Sequence, residues 1–196
     1  MTGQRPPRER MVYSAAQLVR ARGVAGTGVR DVVEHAGAPR GSFQHYFPGG
    51  KDQLVGEALL WSAEFAASHA AAYSAREPTP AGLFAHLVKQ WKDEFTRRGF
   101  ERGCPVMATA ADLAGSDSAV TEQLRVALER WEQAVADQLT RMDLPARRAR
   151  RLATLMISTL EGAIMAARIR QDVTPLTTVV TELTPLFDQP GAQAPS

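Results

Sequence analysis

The stretch Pro39-Arg40-Gly41-Ser42-Phe43-Gln44-His45-Tyr46-Phe47 gathers side chains suited to touching another polar molecule. Read as a short helix from Pro39 to about Phe47, it places Phe43 and Phe47 four residues apart on one side, where they face inward together and anchor it. Arg40, Ser42, Gln44, His45 and Tyr46 are left on or near the outer side. They offer donors and acceptors that match base edges and phosphate oxygens. A glycine at position 41 inside a helix costs roughly 1 kcal/mol relative to alanine. Close approach of the backbone to another molecule accounts for that cost, and close packing between helices accounts for it equally well.

The elements that must position these residues are helical. Thr27 is a good N-cap for a short helix carrying Val29, Val32 and Val33, and Gly37 closes it. The turn Ala36-Gly37-Ala38 then separates two short helices, the geometry of a helix-turn-helix. Ahead of it, Pro7 opens a helix through Val12, Ala15, Leu18 and Val19 that Gly23 ends. After it, Gly49-Gly50 break the chain before Lys51 opens a long helix with Leu54, Ala58, Trp61 and Phe65. Arg76-Glu77-Pro78-Thr79-Pro80 is the clearest boundary, with Thr79 as N-cap and Pro80 as first helical residue. Leu83, Phe84, Leu87, Val88, Trp91 and Phe95 follow at helical spacing until Gly99. Gly103-Cys104-Pro105 begins a shorter helix ending near Gly115. Asp117 or Ser118 caps the next, striped by Val120, Leu124, Leu128, Trp131, Val135 and Leu139. Pro145 starts a helix through about Ile169, and Thr174-Pro175 start the last. Strand signals are nearly absent. The expectation is an all-α chain of about nine helices, with residues 189–196 as a loose tail.

Composition narrows the class. Of 196 residues, 44% are hydrophobic and 22% charged, ordinary for a soluble globular protein. Charged or amide residues interrupt every apolar stretch before the roughly 18 residues a membrane span needs. The basic N-terminus lacks the apolar core of a secretory signal, so a cytoplasmic location is expected. One cysteine excludes an internal disulfide framework and a multi-cysteine zinc site. The four histidines, His35, His45, His69 and His86, show no metal spacing. No nucleophile elbow, P-loop or Glu-x-x-His occurs. An enzyme, a metal and a cofactor are therefore not expected. Charge is uneven: residues 1–51 carry eight Lys/Arg against three acids, a balance of +5, whereas residues 52–196 balance at −3. A basic first quarter suits a polyanion, although charge alone leaves a merely solvated surface equally open.

The motif decides between these. The run Gly23-Val24, Thr27-Gly28-Val29-Arg30-Asp31-Val32-Val33, Ala36-Gly37, Gly41-Ser42-Phe43, Tyr46-Phe47-Pro48-Gly49-Gly50-Lys51-Asp52-Gln53-Leu54 resembles the N-terminal DNA-binding domain of the TetR family of bacterial transcriptional repressors. The resemblance covers about residues 8–60 and is architectural beyond them. Many relatives carry an aromatic residue where this chain has Gln44, and glutamine is itself an adenine reader. Gly49-Gly50, Pro39-Arg40-Gly41-Ser42 and Gly103-Cys104-Pro105-Val106 are similar to the subgroup around a lincomycin-resistance repressor, whose members control drug-efflux and related genes. The resemblance implies roles residue by residue. Thr27 caps the first helix of the motif, with its end facing a phosphate. Arg30 reaches backbone or base. Arg40, Ser42, Gln44 and His45 face the major groove, Gly41 joins them in the DNA contact set, and Tyr46 and Lys51 clamp phosphates.

It also implies a division into a DNA-binding domain, residues 1–50, and a larger effector-binding and dimerisation domain, residues 51–188. Helix-turn-helix proteins commonly read two half-sites as dimers. Residues 152–169 are apolar or small around most of their circumference, more than one buried face requires. Leu152, Leu155, Met156, Ser158, Thr159, Gly162, Ala163 and Ala166, joined by Val179 and Leu183 of the last helix, would form a homodimer interface. A buried central helix of a monomer is the competing reading. Trp61, Phe65, Phe84, Trp91, Phe95, Met107 and Trp131, with Cys104, would line a pocket for an apolar or aromatic effector, although each alone reads as core. Trp61 and Phe65 would transmit its binding, since they lie on the helix begun by Lys51. Cys104 reads first as a packing residue and only second as a redox sensor. The expected function is a repressor released from a palindromic double-stranded operator by a small molecule, without membrane partners. The alternative is a helical small-molecule-binding or adaptor protein without DNA-binding activity.

Overall fold

The structure, a computed structural model, describes residues 5–73, 76, 78–113 and 118–188. Among them are nine α-helices: α1 (Pro7–Arg22), α2 (Val29–His35), α3 (Phe43–Tyr46), α4 (Gly50–Ala71), α5 (Pro80–Arg98), α6 (Pro105–Leu113), α7 (Ala119–Arg141), α8 (Ala146–Arg170) and α9 (Thr174–Phe187). No strand occurs among the described residues.

Local chemistry explains most of the boundaries. Pro7 occupies the first turn of α1, where its missing N–H has no helical partner to lose. Gly23, at φ 72°, ends the helix and returns its N–H to Val19 O at 2.8 Å. At the end of α2, Gly37 takes φ 57° while its N–H bonds Glu34 O and the Ala38 N–H bonds Val33 O, each at 3.0 Å. This paired return satisfies carbonyls the helix would otherwise leave bare. Thr79 Oγ1 accepts from Gly82 N at 3.0 Å and caps α5, which Gly99 ends at φ 76°. Ser118 Oγ accepts from Val120 N at 3.2 Å ahead of α7. The expected cap Asp117, the stop at Gly115, Glu77 and the tail 189–196 lie outside the described residues.

Three expectations are corrected. The helix read from Pro39 to Phe47 is only Phe43–Tyr46. The Pro39 carbonyl is taken by both the N–H and the Oγ of Ser42, at 3.0 and 2.7 Å, which makes residues 39–42 a turn. Thr27 is not the N-cap of α2. That position falls to Gly28, whose N–H is accepted by the Asp31 side chain at 3.3 Å. Finally, α8 is the one described helix long and apolar enough to cross a membrane, because Glu161 is the only acidic or basic residue between Arg151 and Arg168. Half of its most apolar stretch is buried within the protein, as in the core helix of a globular domain.

The chain divides into two compact units. The first comprises residues 1–65 and 102–130, so α6 and the start of α7 pack with α1–α3 and the first part of α4. Its core is built from Met11, Ala15, Val32, Val33, Phe47 and Leu54, with Phe43, Tyr46 and Trp61 packed against it. Within this unit α6 is tied to α1 and the loop after it: Arg20 and Gly103 exchange two bonds, Arg20 Nε to Gly103 O and Gly103 N to Arg20 O, both 2.9 Å. Asp112 Oδ2 accepts from Ala25 N at 3.0 Å. The second unit comprises residues 66–101 and 131–196, in which α5, α8 and α9 pack on one another. Phe84 meets Phe187 edge-on at 4.9 Å, and Asp188 Oδ1 accepts from Ala81 N at 2.9 Å, fastening the end of α9 to the start of α5. This grouping differs from the division at residue 50 expected from the sequence, since residues 51–65 and 102–130 pack with the first fifty.

Candidate nucleic-acid interface

A four-residue helix has too little of its own hydrogen bonding to stand alone. α3 is held by its apolar side. Phe47 is fully buried, Phe43 stacks on it at 5.5 Å between ring centroids, and the Arg8 guanidinium lies 5.3 Å from the Phe47 ring. With that side committed, Arg40, Gly41, Gln44 and His45 are exposed, and Ser42 and Tyr46 are half-buried. Gln44 donates to Pro48 O at 3.4 Å, and the His45 and Tyr46 rings meet edge-on at 5.1 Å. A Cβ built at Gly41 meets no atom within 4 Å. Packing against a neighbouring helix of the chain therefore does not require the glycine.

The basic first quarter is largely engaged within the protein. Arg8 pairs with Glu57 at 2.7 Å. Arg22 approaches Asp31 at 4.0 Å, and Arg5 stands over the Tyr13 ring at 5.5 Å. Arg10 and Arg20 donate to main-chain carbonyls. Lys51, expected to reach outward from the first turn of α4, instead donates its Nζ to Val24 O at 2.6 Å and is half-buried. Among the described residues, Arg30 and Arg40 are the Lys and Arg side chains of this region with no ion pair, side-chain hydrogen bond or ring contact, and both are exposed. Thr27, expected at a phosphate, is 2% exposed and its hydroxyl donates to Gly23 O at 2.7 Å. Its side chain thus belongs to the loop that holds α2 rather than to the outer surface.

The aromatic residues expected to line one pocket are distributed over both units. In the first, Trp61 stacks on Phe65 at 5.6 Å and meets Tyr13 edge-on at 5.4 Å. Phe65 is itself 53% exposed, Cys104 is buried and Met107 half-buried. In the second, Phe84, Phe95 and Trp131 are buried, and Trp91 and Phe100 flank Phe95 at 5.8 and 4.9 Å.

The face expected on α8 is narrower than its composition indicates. Leu152, Met156 and Ala163 are buried in their own unit and present nothing outward. This is a correction with a simple cause, since these residues lie on the side of α8 that completes the core. Leu155, Ser158 and Gly162 are exposed, and Thr159, Ala166, Val179 and Leu183 are half-buried. Met165 and Ile169, exposed by 50% and 76%, and Leu186 of α9 are open as well. The spacing 155, 158, 162, 165, 169 is one helical stripe and was legible as such. A Cβ at Gly162 would meet nothing within 4 Å, so close approach by another surface is open there.

Comparison with known proteins bears on these observations. Residues 13–58 match the family model for bacterial regulatory proteins of the tetR family, and residues 80–182 match that for the LmrA/YxaF-like C-terminal domain of transcriptional regulators. The chain is 39% identical over 182 residues to the HTH-type transcriptional regulator Rv0196 of Mycobacterium tuberculosis, covering 90% of this chain and 92% of the relative. It is 27% identical to the HTH-type transcriptional regulator LmrA of Bacillus subtilis, covering 86% and 90%. A crystal structure of a TetR transcriptional regulator from Chloroflexus aurantiacus superposes with a TM-score of 0.70 at 28% identity, covering 93% of this chain and 94% of that one. With a helix-turn-helix part and a helical C-terminal part both matched, the chain belongs to the TetR family of transcriptional regulators, in the branch with an LmrA/YxaF-like C-terminal domain.

Proposed function

We propose that the chain is a dimeric repressor that reads a palindromic operator and releases it when a small apolar or aromatic molecule binds its helical body. The observation that carries this reading is the exposed polar side of residues 40–46 on an element pinned from behind by Phe43 and Phe47. Arg40, Ser42, Gln44 and His45 would read base edges, while Arg30, Tyr46 and the two N–H donors that Lys51 does not give to Val24 O would contact the phosphate backbone. Gly41 would let a sugar-phosphate strand approach the main chain.

One such element offers too few contacts for tight recognition, so two copies are needed, with half-sites about 34–36 Å apart or at multiples of that spacing. The stripe Leu155, Ser158, Gly162, Met165 and Ile169, flanked by Leu183 and Leu186 of α9, is the self-complementary face a twofold dimer would use. An effector would act by preferring a conformation in which the two reading elements no longer match the half-site spacing. The aromatic residues of the second unit, Phe84, Trp91, Phe95 and Trp131, are its proposed contacts.

Footprinting of the full-length protein on the intergenic DNA beside its own gene, with and without hydrophobic aromatic compounds, tests the reading. A protected palindrome, lost when one compound is added and weakened steeply by salt, is the expected result. Equal binding to every duplex of the same length would overturn it.

A further inference from the structure

We propose that Arg10 is the positioning residue of the DNA-reading unit: its guanidinium sets the turn between α2 and α3, and the segment before α1, in one fixed arrangement. This goes beyond the contacts proposed above and rests on the DNA-reading role they describe. The side chain leaves the first turns of α1 and reaches the far end of α2. Nε donates to Ala36 O at 2.8 Å and Nη2 to Gly37 O at 3.0 Å, across 26 and 27 residues. On its other side Nη1 donates to Arg5 O at 3.0 Å.

The two distant acceptors are the carbonyls at which the chain leaves α2. Three carbonyls of the last turn of α2 are already satisfied, Val32 O by Ala36 N, Glu34 O by Gly37 N and Val33 O by Ala38 N. Arg10 takes those of Ala36 and Gly37, in the residues whose direction decides where α3 points. Gly37 is at φ 57° with open space around its Cβ position, so packing does not hold it there, and its own amide reaches only back to Glu34 O. The turn that follows closes through Ser42 to Pro39 and leads into α3 through Tyr46 N to Ser42 O. A planar fork with donors at fixed angles holds three carbonyls at once, and the rotatable ammonium of a lysine does not. The negative end of the α2 dipole favours a cation at the same place. With three of its five N–H groups given to the main chain, Arg10 is directed into the fold rather than toward a phosphate.

The consequence concerns specificity. Phosphate contacts come from side chains spread over the unit and tolerate a small rotation of α3, whereas base-edge hydrogen bonds do not. The test uses the full-length protein and a duplex selected by the wild type from a random library, with an unrelated duplex of equal length as control. Binding to both is measured over a salt series, together with Tm, for wild type, Arg10→Ala and Arg10→Lys. For Arg10→Ala, the expected result is at least about a tenfold rise in Kd for the selected duplex, the scale of one lost base contact, with little change for the unrelated one or in the salt slope. Arg10→Lys should fall between wild type and Arg10→Ala, and it decides the matter alone if the alanine variant does not fold. A lowered Tm with an unchanged ratio between the two duplexes would make Arg10 a stabilising residue only and overturn the proposal. An equal loss on both duplexes with a shallower salt slope would make it a phosphate contact, and would overturn it as well. If the wild type itself selects no sequence, the DNA-reading role fails, and that result is distinct from any of these.

Discussion

Arg40 and Arg30 differ from the other basic residues of the first 51, because the protein has found no use for their charge within its own fold. Lys51 and Arg40 should therefore separate in experiment. Lys51→Ala removes a half-buried bond to Val24 O, so it should lower stability by about 1 kcal/mol and weaken binding to all duplexes. Arg40→Ala should leave Tm unchanged and alter base preference at particular operator positions. Thermal melts beside binding to a panel of single-base operator variants make the comparison. Gly41 gives a sharper contrast. With nothing near its Cβ position, Gly41→Ala should keep stability or raise it by about 0.5 kcal/mol by restricting the unfolded chain. The same methyl group should weaken operator binding if a DNA strand lies against the main chain. Unchanged binding by gel shift would remove Gly41 from the contact set.

At the scale of the element, short helices here depend on their ends. α9 begins after Asp172, whose Oδ2 accepts from Thr174 Oγ1 at 2.6 Å and whose Oδ1 accepts from Thr174 N at 3.0 Å. The hydrogen bond from the Thr174 hydroxyl, with that from its amide, holds the Asp172 carboxyl below its ordinary range. A carboxyl lowered in the folded state binds its proton more readily when unfolded. Its contribution is therefore present at neutral pH and is lost as pH falls through and below the usual aspartate range. Asp172→Asn should be less stable than wild type at pH 7, and the difference should shrink toward pH 3. Paired thermal melts across that range check the sign. On the same physical grounds, α3 is the element least able to define itself. Four residues provide one turn, so its placement is delegated to the Phe43–Phe47 pair behind it and to the turn that feeds it.

For the whole molecule, the outward stripe of α8 is the feature that the folded chain leaves unexplained by itself. Met165 and Ile169 are among the largest apolar side chains left open, on the helix whose opposite side completes the core of the second unit. A charge at the centre of a twofold face appears twice in the assembly and meets its own copy, so Met165→Asp should convert a dimer to a monomer. Light scattering after size exclusion reads the mass. The same variant should bind a single half-site like wild type and lose its advantage on the full palindrome. A Met165→Asp protein that stays dimeric would remove α8 from the interface.

The helices were legible because their limits are written in local chemistry. Gly23, Gly37 and Gly99 end helices at positive φ, and Thr79 and the prolines at positions 7, 80, 145 and 175 open them whatever the rest of the chain does. The helix-turn-helix and its family were legible for the same reason, since a tight turn between two apolar anchors demands particular residues at particular spacings. What no local pattern carried was where a donor finds its acceptor. Arg10, Arg20 and Lys51 count as surface charge in the sequence, yet each gives a hydrogen bond to a carbonyl between 26 and 83 residues away. Thr27 has the chemistry of a cap but ties a loop, and Leu152, Met156 and Ala163 have the pattern of an interface but complete the core. Charge and hydropathy are properties of a residue, but whether they meet solvent, a partner or the chain's own backbone is settled only when distant segments pack.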